Sequence, residues 1–180
     1  MTDHTSPVYE ARYGWDRRTR GLVAACAVFT AVLLLPEAPL LAQLLGLPLS
    51  GGGGLFMAYA ASSGKVAFRV DETGVLLGGN PARYRATTAH VPWDDITGFV
   101  LWHQAMGGPS LPCIGVTRRK GAPSPPGNFP KLRAALQYLV PVPADGAMAS
   151  RVVTGWRFDK ARMVAAVAHF APEIPVRDRL

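Results

Sequence analysis

The side chains of this chain that could perform catalysis or hold a metal ion are few and scattered. Its histidines are His4, His90, His103 and His169, and none of them belongs to an H-x₃-H, H-E-x-x-H or mixed Cys/His pattern. Such spacings are what bring imidazoles and thiolates around one zinc ion, so the sequence predicts no metal site. Asp94 and Asp95 are adjacent, and adjacent side chains of an extended segment point to opposite faces, so we do not expect a pair of catalytic carboxylates.

Nucleophiles and phosphate-binding loops are equally poorly represented. No G-x-S-x-G run occurs, and the runs Gly78-Gly79 and Gly51–Gly54 lack the Lys-Ser/Thr pair of a phosphate-binding loop. Cys26 lies in an apolar stretch and Cys113 in a strand-like run, so both are interpreted as structural thiols rather than reactive ones. We therefore expect a protein that is not an enzyme and that uses no cofactor.

Positive charge is the remaining chemical signal. The net charge of +7 lies entirely in residues 65–180, where basic side chains bracket turns and a Pro-rich loop. The candidate basic interaction surface consists of Arg83, Arg85, Arg118, Arg119, Lys120, Lys131 and Arg133. Anionic lipid headgroups or an acidic protein partner are the ligands that such a surface would attract, and a solvated basic face is the alternative. Nucleic acid is not expected, because the basic residues are dispersed and no recognition helix is evident.

The elements that would position these side chains divide the chain into two parts. Between Gly21 and Gly64 the only formal charge is Glu37, whereas the rest of the chain has an ordinary charge density. This apolar stretch is too long for one membrane-spanning helix and about right for two. The interruption Pro36–Pro39 predicts helices over 18–37 and 40–62 with Glu37 in the turn. An alternative turn at Leu47–Gly51 would bury Glu37.

The flanking charges predict the orientation of this hairpin. Arg12, Arg17, Arg18 and Arg20 precede it and Lys65 and Arg69 follow it, while its turn has no Lys or Arg. The positive-inside rule then predicts a multi-pass protein of the cell membrane with both termini in the cytoplasm. A signal peptide that exports the rest is the alternative, although the apolar stretch is long for one. The run Gly51–Gly54 either permits close helix contact, including a homo-oligomer, or forms a poorly helical stretch.

Short β segments replace the apolar run from Val66 onward. The predicted strands are Val66–Val70, Val75–Gly78, Thr87–Val91, Ile96–His103, Cys113–Arg118, Leu136–Val142 and Val152–Phe158. Asp159 is a predicted N-cap for an amphipathic helix that runs to Phe170, since Met163, Val167 and Phe170 recur at helical spacing. Strands followed by one helix predict an α+β domain in which the helix closes a seven-stranded antiparallel barrel or roll.

Two short motifs suggest a family. The run Phe68-Arg69-Val70-Asp71-Glu72-Thr73-Gly74-Val75, followed by Val91-Pro92-Trp93-Asp94-Asp95-Ile96, resembles the pleckstrin-homology-like (PH-like) domains of bacterial membrane proteins that carry two transmembrane helices in front of the domain. An Ala-, Gly-, Pro- and Arg-rich composition is typical of a high-G+C bacterium. The resemblance implies that Trp93 packs at a corner, that Ile96 faces the core, and that no catalytic residues are shared.

The resulting expectation is a cytoplasmic tail (1–17), a two-helix transmembrane hairpin (18–64), a PH-like domain (65–175) and a short tail (176–180). Its function would be to present a basic cytoplasmic surface to a protein or to anionic lipid, without catalysis. The alternative is an accessory subunit of a membrane enzyme or transporter, with Glu37 in a polar site inside the membrane.

Overall fold

A computed structural model describes residues 7–104, 110–123 and 149–179. The chain forms two compact units. The helical unit comprises Arg12–Lys65 together with Gly155–Arg157, and the β unit comprises the other described residues.

Two antiparallel helical arms form the helical unit. Helix α1 is Arg17–Leu33, and Asp16 caps it by accepting a hydrogen bond from the Thr19 amide. The second arm runs without interruption from Leu40 to Ser62. It consists of α2 (Leu40–Leu47), a π-helical segment (Pro48–Gly52) and α3 (Gly53–Ser62). Pro48 has no N–H to donate inside a helix, which explains why the backbone widens there.

Only the second arm has the length and composition to cross a membrane. The helix predicted over 40–62 is confirmed, with 23 residues and a mean hydropathy of 1.4 over its most apolar 18-residue window. The first predicted span, 18–37, is wrong because α1 has 17 residues and three of its first four are arginines. Its apolar portion from Gly21 to Leu33 rises about 20 Å at 1.5 Å per residue, short of the ~30 Å hydrocarbon core. The described residues therefore contain one candidate span and not the expected two-helix transmembrane hairpin.

The first sheet of the β unit contains β1 (Tyr9–Arg12), β2 (Val66–Asp71), β3 (Gly74–Leu77) and β4 (Ala89–Pro92), in that order. Strands β2 and β3 form the predicted hairpin, with Val70 opposite Val75. Gly74 has φ +141° and its Cα faces the Val91 carbonyl, so a side chain there would meet backbone. The short helix α4 (Tyr84–Thr87) leads into β4.

The second sheet has the order β7-β6-β5-β8. Its strands are β5 (Ile96–Gln104), β6 (Leu111–Arg118), β7 (Ser150–Val152) and β8 (Val176–Arg179). Strand β8 runs parallel to β5, whereas the other pairs are antiparallel. Helix α5 (Lys160–Phe170) begins after Asp159, whose carboxylate accepts from the Arg162 amide, so the predicted helix and its cap are confirmed.

The buried side chains of the β unit come from both sheets and from α5. Phe68 on β2, Phe99 on β5 and Met163 on α5 are fully buried. Trp93 packs beside Phe99 with its ring centroid 6.3 Å away and donates its indole N–H to the Asp71 carbonyl at 2.9 Å, while Ile96 is buried. The positions expected for Trp93 and Ile96 are therefore confirmed.

The predicted seven-stranded antiparallel PH-like barrel is wrong, because the described strands form two separate four-stranded sheets, one with a parallel pair. Strands β1 and β8 both lie outside the predicted domain of 65–175. Strand β1 alternates buried and more exposed residues over only four positions, and β8 is mostly charged. The predicted strand 152–158 is divided: Val152 ends β7, Gly155 turns with φ +72°, and Trp156 bridges to Tyr13 in the helical unit. The predicted strand Leu136–Val142 lies outside the described residues.

Candidate functional site: an apolar helical surface with a cationic end

The helical unit carries a large apolar surface that nothing within the described chain covers. Leu49 is 79% exposed and Leu55 75% exposed, and only 11% of the most apolar window of Leu40–Ser62 is buried. The other strongly exposed apolar side chains of this unit include Val28, Phe29, Val32, Leu34, Leu35, Leu40, Leu41, Leu44 and Leu45. Isolated exposed leucines are ordinary on soluble proteins, but a contiguous surface of this kind marks a lipid or protein interface.

The polar side chains between the two arms satisfy one another. The Thr30 hydroxyl of α1 donates to Ser50 Oγ at 2.9 Å, and the Ser50 hydroxyl donates to the Gly46 carbonyl at 2.7 Å. Ser50 is buried, so both hydroxyls are paired without water. Paired hydroxyls of this kind are compatible with an apolar surrounding, where an unpaired group is costly.

The two arms meet at a cationic end. Trp15 donates its indole N–H to Ser62 Oγ at 3.2 Å, which brings the start of α1 beside the end of α3. Arg17, Arg18 and Arg20 are exposed in the first turn of α1, and the Lys65 ammonium lies 5.7 Å from the centre of the Tyr59 ring. Aromatic and cationic side chains are enriched where a membrane helix leaves the hydrocarbon core. The chain thus enters and leaves the helical unit at the end that carries most of its positive charge.

The opposite end of the arms is the connecting turn that holds Glu37. This residue is exposed and lies between Leu33 and Leu40, in the turn that the prolines predicted. The structure therefore does not place Glu37 between the helices, where the alternative function would require it.

An open groove separates parts of α1 and α3. It has a volume of about 390 Å³, and its walls are formed by small and apolar residues such as Val23, Ala27, Ala31, Gly51 and Ala58. Gly54 and Cys26 both line the groove and lie in close contact, because a Cβ at Gly54 would stand 2.9 Å from the Cβ of Cys26. In the run Gly51–Gly54, therefore, Gly54 permits close contact with α1 of the same chain, whereas Gly52 and Gly53 face open space.

The predicted basic surface is not a single cluster. Arg83 and Arg85 are exposed just before β4. Arg119 and Lys120 are exposed just after β6, and they lie beside Asp95, which follows the other end of β4. The Arg119 amide donates to the Asp95 carbonyl at 2.9 Å, which places this second group next to two carboxylates, Asp94 and Asp95. A four-residue strand of roughly 13 Å separates the two groups.

The other three residues of the predicted basic surface are Arg118, Lys131 and Arg133. Arg118 is half-buried and donates to the Pro123 carbonyl, so its guanidinium is partly committed to the turn that follows β6. Lys131 and Arg133 lie outside the described residues.

The titratable groups of the β unit have structural partners. Burial raises the pKa of Asp71, but hydrogen bonds from Thr73 and the nearby Arg69 guanidinium outweigh it, so the net pKa lies below its usual range. Thr73 Oγ1 also lies 3.0 Å from His90 Nε2 on the neighbouring strand, at an exposed hairpin turn. Burial raises the pKa of the Cys113 thiol, which keeps it protonated and unreactive. Within the described residues no group of three His, Cys, Asp or Glu side chains could hold a metal ion.

The structure adds two residues that composition and charge do not single out. Trp15 bonds to Ser62, and Arg20 donates to the Trp15 carbonyl one helical turn before Val23, the first residue of α1 that lines the groove. In the sequence Arg20 is only one of several flanking arginines. A signal is nevertheless present in the spacing, because Arg20, Val23, Ala27 and Ala31 recur at intervals of three and four on one face of α1.

Comparison with known protein families, curated proteins and solved structures finds no match to this chain.

Proposed function

We propose that this chain is a non-enzymatic membrane protein in which Leu40–Ser62 is the membrane-embedded helix and the β unit is an interaction domain tethered to it. The observation that carries the proposal is the exposure of this 23-residue apolar helix, which has no covering element in the described structure. At 1.5 Å per residue it measures about 34 Å, enough for a hydrocarbon core of about 30 Å.

Transfer of this surface into lipid is strongly favourable. Each leucine side chain removed from water contributes about 1.5–3 kcal/mol, and Leu40, Leu41, Leu44, Leu45, Leu49 and Leu55 are all at least 63% exposed. The backbone of the arm is hydrogen-bonded within the helix and the Ser50 hydroxyl in its middle is paired, so the desolvation cost that offsets this gain is small.

The cationic end supports an orientation with that end in the cytoplasm. Arg17, Arg18, Arg20 and Lys65 lie where the chain enters and leaves the helical unit, and the turn with Glu37 has no basic residue. The β unit then extends from the cytoplasmic side of the membrane.

We further propose that exposed basic residues of the β unit bind headgroups of the anionic leaflet in which the chain is anchored. Each Lys or Arg close to such a surface contributes about 1 kcal/mol. Amine acylation tests this part of the proposal: in the reconstituted full chain, anionic vesicles should slow acylation of Lys120 relative to zwitterionic vesicles. Lys160 is the matched control, because it is ion-paired with Asp178 and should react equally in both. Equal reactivity of Lys120 in both vesicles would contradict headgroup contact.

Lysine substitution on the exposed face tests the membrane anchor itself. Leu45→Lys with Leu49→Lys should release the full chain from membranes washed with alkaline carbonate, because each central lysine costs about 2.5–3.5 kcal/mol of insertion. Val152→Lys, at an exposed apolar position of the β unit, is the matched control and should leave the chain in the membrane. Release of the unmodified chain as a monodisperse protein in buffer would contradict the proposal.

A further inference from the structure

We infer that the groove between α1 and α3 binds one acyl chain of an anionic phospholipid, with its phosphate at Arg20. This inference rests on the proposed membrane function and names a ligand for the surface where α1 packs against the embedded helix Leu40–Ser62. It would make this unit a lipid-binding site in addition to an anchor.

The shape and chemistry of the groove suit a hydrocarbon chain. Its volume of about 390 Å³ falls in the ~300–1,000 Å³ range of ligand pockets. It follows α1 from Val23 to Leu34, a rise of about 17 Å at 1.5 Å per residue, so it is long and narrow. Thr30 and Ser50 also line the groove, but their hydroxyls are hydrogen-bonded to each other. They therefore do not need a polar ligand as a partner.

Charge at the mouth of the groove selects the headgroup. Arg20 precedes Val23 by three residues and therefore stands on the same face of α1 as the groove. One N–H of its guanidinium donates to the Trp15 carbonyl at 3.3 Å, and its side chain is otherwise exposed, so donors remain for a phosphate. The Asp16 carboxylate, four residues before Arg20, accepts the Thr19 amide as the helix cap.

The same charge disfavours a second copy of the chain as the occupant. Two copies inserted in the same orientation would bring Arg17, Arg18 and Arg20 of one next to those of the other, and like charges repel. Gly54, the small residue that would allow close helix approach, is already used against Cys26 of its own chain. A phospholipid instead brings an anionic group to the cationic end and an apolar chain to the groove.

Lipid binding to the delipidated full chain in micelles, followed by native mass spectrometry, tests the inference. We expect one bound phosphatidylglycerol, with a preference of about fivefold over phosphatidylcholine of identical acyl chains, the equivalent of one cation near the headgroup. Ala27→Leu fills the groove and should weaken binding of both lipids about tenfold. Ala25→Leu, the matched control on the same helix outside the groove, should not.

The charge contribution has its own pair of variants. Arg20→Gln should abolish the preference for phosphatidylglycerol, whereas Arg18→Gln, on the face of Leu22 and Ala25, should keep it. Glycerol phosphate without acyl chains should not bind, which separates a lipid from a free phosphate.

Three results would overturn the inference: equal lipid binding by Ala27→Leu and Ala25→Leu, loss of preference in Arg18→Gln alone, or a lipid-free dimer that Ala27→Leu dissociates. All four variants should remain in carbonate-washed membranes. Retention of the chain in membranes with no lipid selectivity would therefore disprove the groove ligand while leaving the anchor intact.

Discussion

Gly54 of α3 lies so close to Cys26 of α1 that a Cβ on Gly54 would stand 2.9 Å from the Cβ of Cys26. The two helical arms touch at this point, and both residues line the groove. The glycine therefore determines how closely the arms approach, and the groove depends on that spacing.

Alanine substitutions in the glycine run test this contact. In a helix interior, Gly→Ala stabilises by about 1 kcal/mol when there is space for the methyl group. Gly52→Ala, which meets nothing within 4 Å, should therefore raise the Tm of the full chain in micelles by about 2–4 °C. Gly54→Ala should lower it, because overpacking costs about 1–3 kcal/mol.

The partner of Gly54 can be varied as a control. Cys26→Gly removes the atom that the new methyl group would meet, so Gly54→Ala should be harmless or stabilising in that background. Equal effects of Gly52→Ala and Gly54→Ala in the unmodified chain would show that the arms do not touch at Gly54.

Asp16 makes the stability of α1 dependent on pH. The Thr19 amide hydrogen bond, 2.6 Å long, holds the pKa of this carboxyl below its ordinary value of 3.8. A lowered pKa in the folded state means that the stabilisation is present above the unfolded pKa and is lost as the pH falls through the folded value. At neutral pH, Asp16→Ala should cost about 1 kcal/mol of unfolding free energy.

Asp16→Asn separates capping from charge, since an asparagine also caps a helix but does not titrate. In thermal unfolding of the micelle-bound chain, the stability difference between the unmodified chain and Asp16→Ala should narrow below about pH 4. The difference between Asp16→Asn and Asp16→Ala should stay constant over the same range. A difference between the unmodified chain and Asp16→Ala that persists unchanged in acid would contradict the role of the ionised carboxylate.

Arg151 joins the two sheets of the β unit. Its guanidinium donates to the Leu77 carbonyl at 3.0 Å and to the Thr87 carbonyl at 2.9 Å, and also to the Gly78 carbonyl. Arg151→Ala removes the donor from these carbonyls, two of which belong to the buried residues Leu77 and Gly78, at about 1–3 kcal/mol for each that stays unsatisfied. We therefore expect a loss of at least ~2 kcal/mol in chemical unfolding. Arg151→Lys should rescue little of it, because an ammonium cannot span the carbonyls as the planar guanidinium does.

Arg119→Ala is the control for Arg151, because this side chain is exposed and lies on a turn. The free energy of unfolding of the Arg119→Ala variant should differ from that of the unmodified chain by less than about 0.5 kcal/mol. Similar losses in the two variants would show that Arg151 contributes only as a surface charge.

Structural features that depend on residues close together in the sequence could be predicted from the sequence alone. The hairpin of Val70 and Val75 follows from alternation around a glycine turn, and helix α5 follows from Asp159 and an apolar period. The turn at Pro36–Pro39 follows from prolines that cannot continue a helix. Each of these is confirmed because its determinants lie within a few residues of each other.

Features that depend on distant pairing were missed. The strand Val176–Arg179 is mostly charged and has no apolar alternation, and only its parallel pairing with Phe99–Trp102 of β5 makes it a strand. The barrel predicted from strand count failed for the same reason, since a count does not determine which strands become neighbours. The end of α1 at Leu33 was also missed, because a run of leucines by itself does not show where the helix stops.

The candidate site was predicted only in part. The apolar arm Leu40–Ser62 was evident from composition, but the groove required the packing of Gly54 against Cys26. Each basic residue could be identified from the sequence. That they form two groups at opposite ends of β4 could be seen only in the folded structure.

The central claim is that Leu40–Ser62 lies inside the bilayer, and a depth measurement tests it most directly. A nitroxide spin label can be placed at Leu49→Cys in the middle of the arm and, separately, at the exposed Thr97→Cys of β5, each in a Cys26→Ala background in the reconstituted full chain. Cys113 is buried with a raised thiol pKa and should not react with the label.

If Leu40–Ser62 lies in the bilayer, the label at position 49 collides mainly with dissolved oxygen, which concentrates in lipid. The same label is then shielded from a water-soluble nickel chelate. The label at position 97 should show the opposite preference. If the nickel chelate reaches both labels equally in the presence of bilayers, Leu40–Ser62 does not lie in the membrane and the proposed function is wrong.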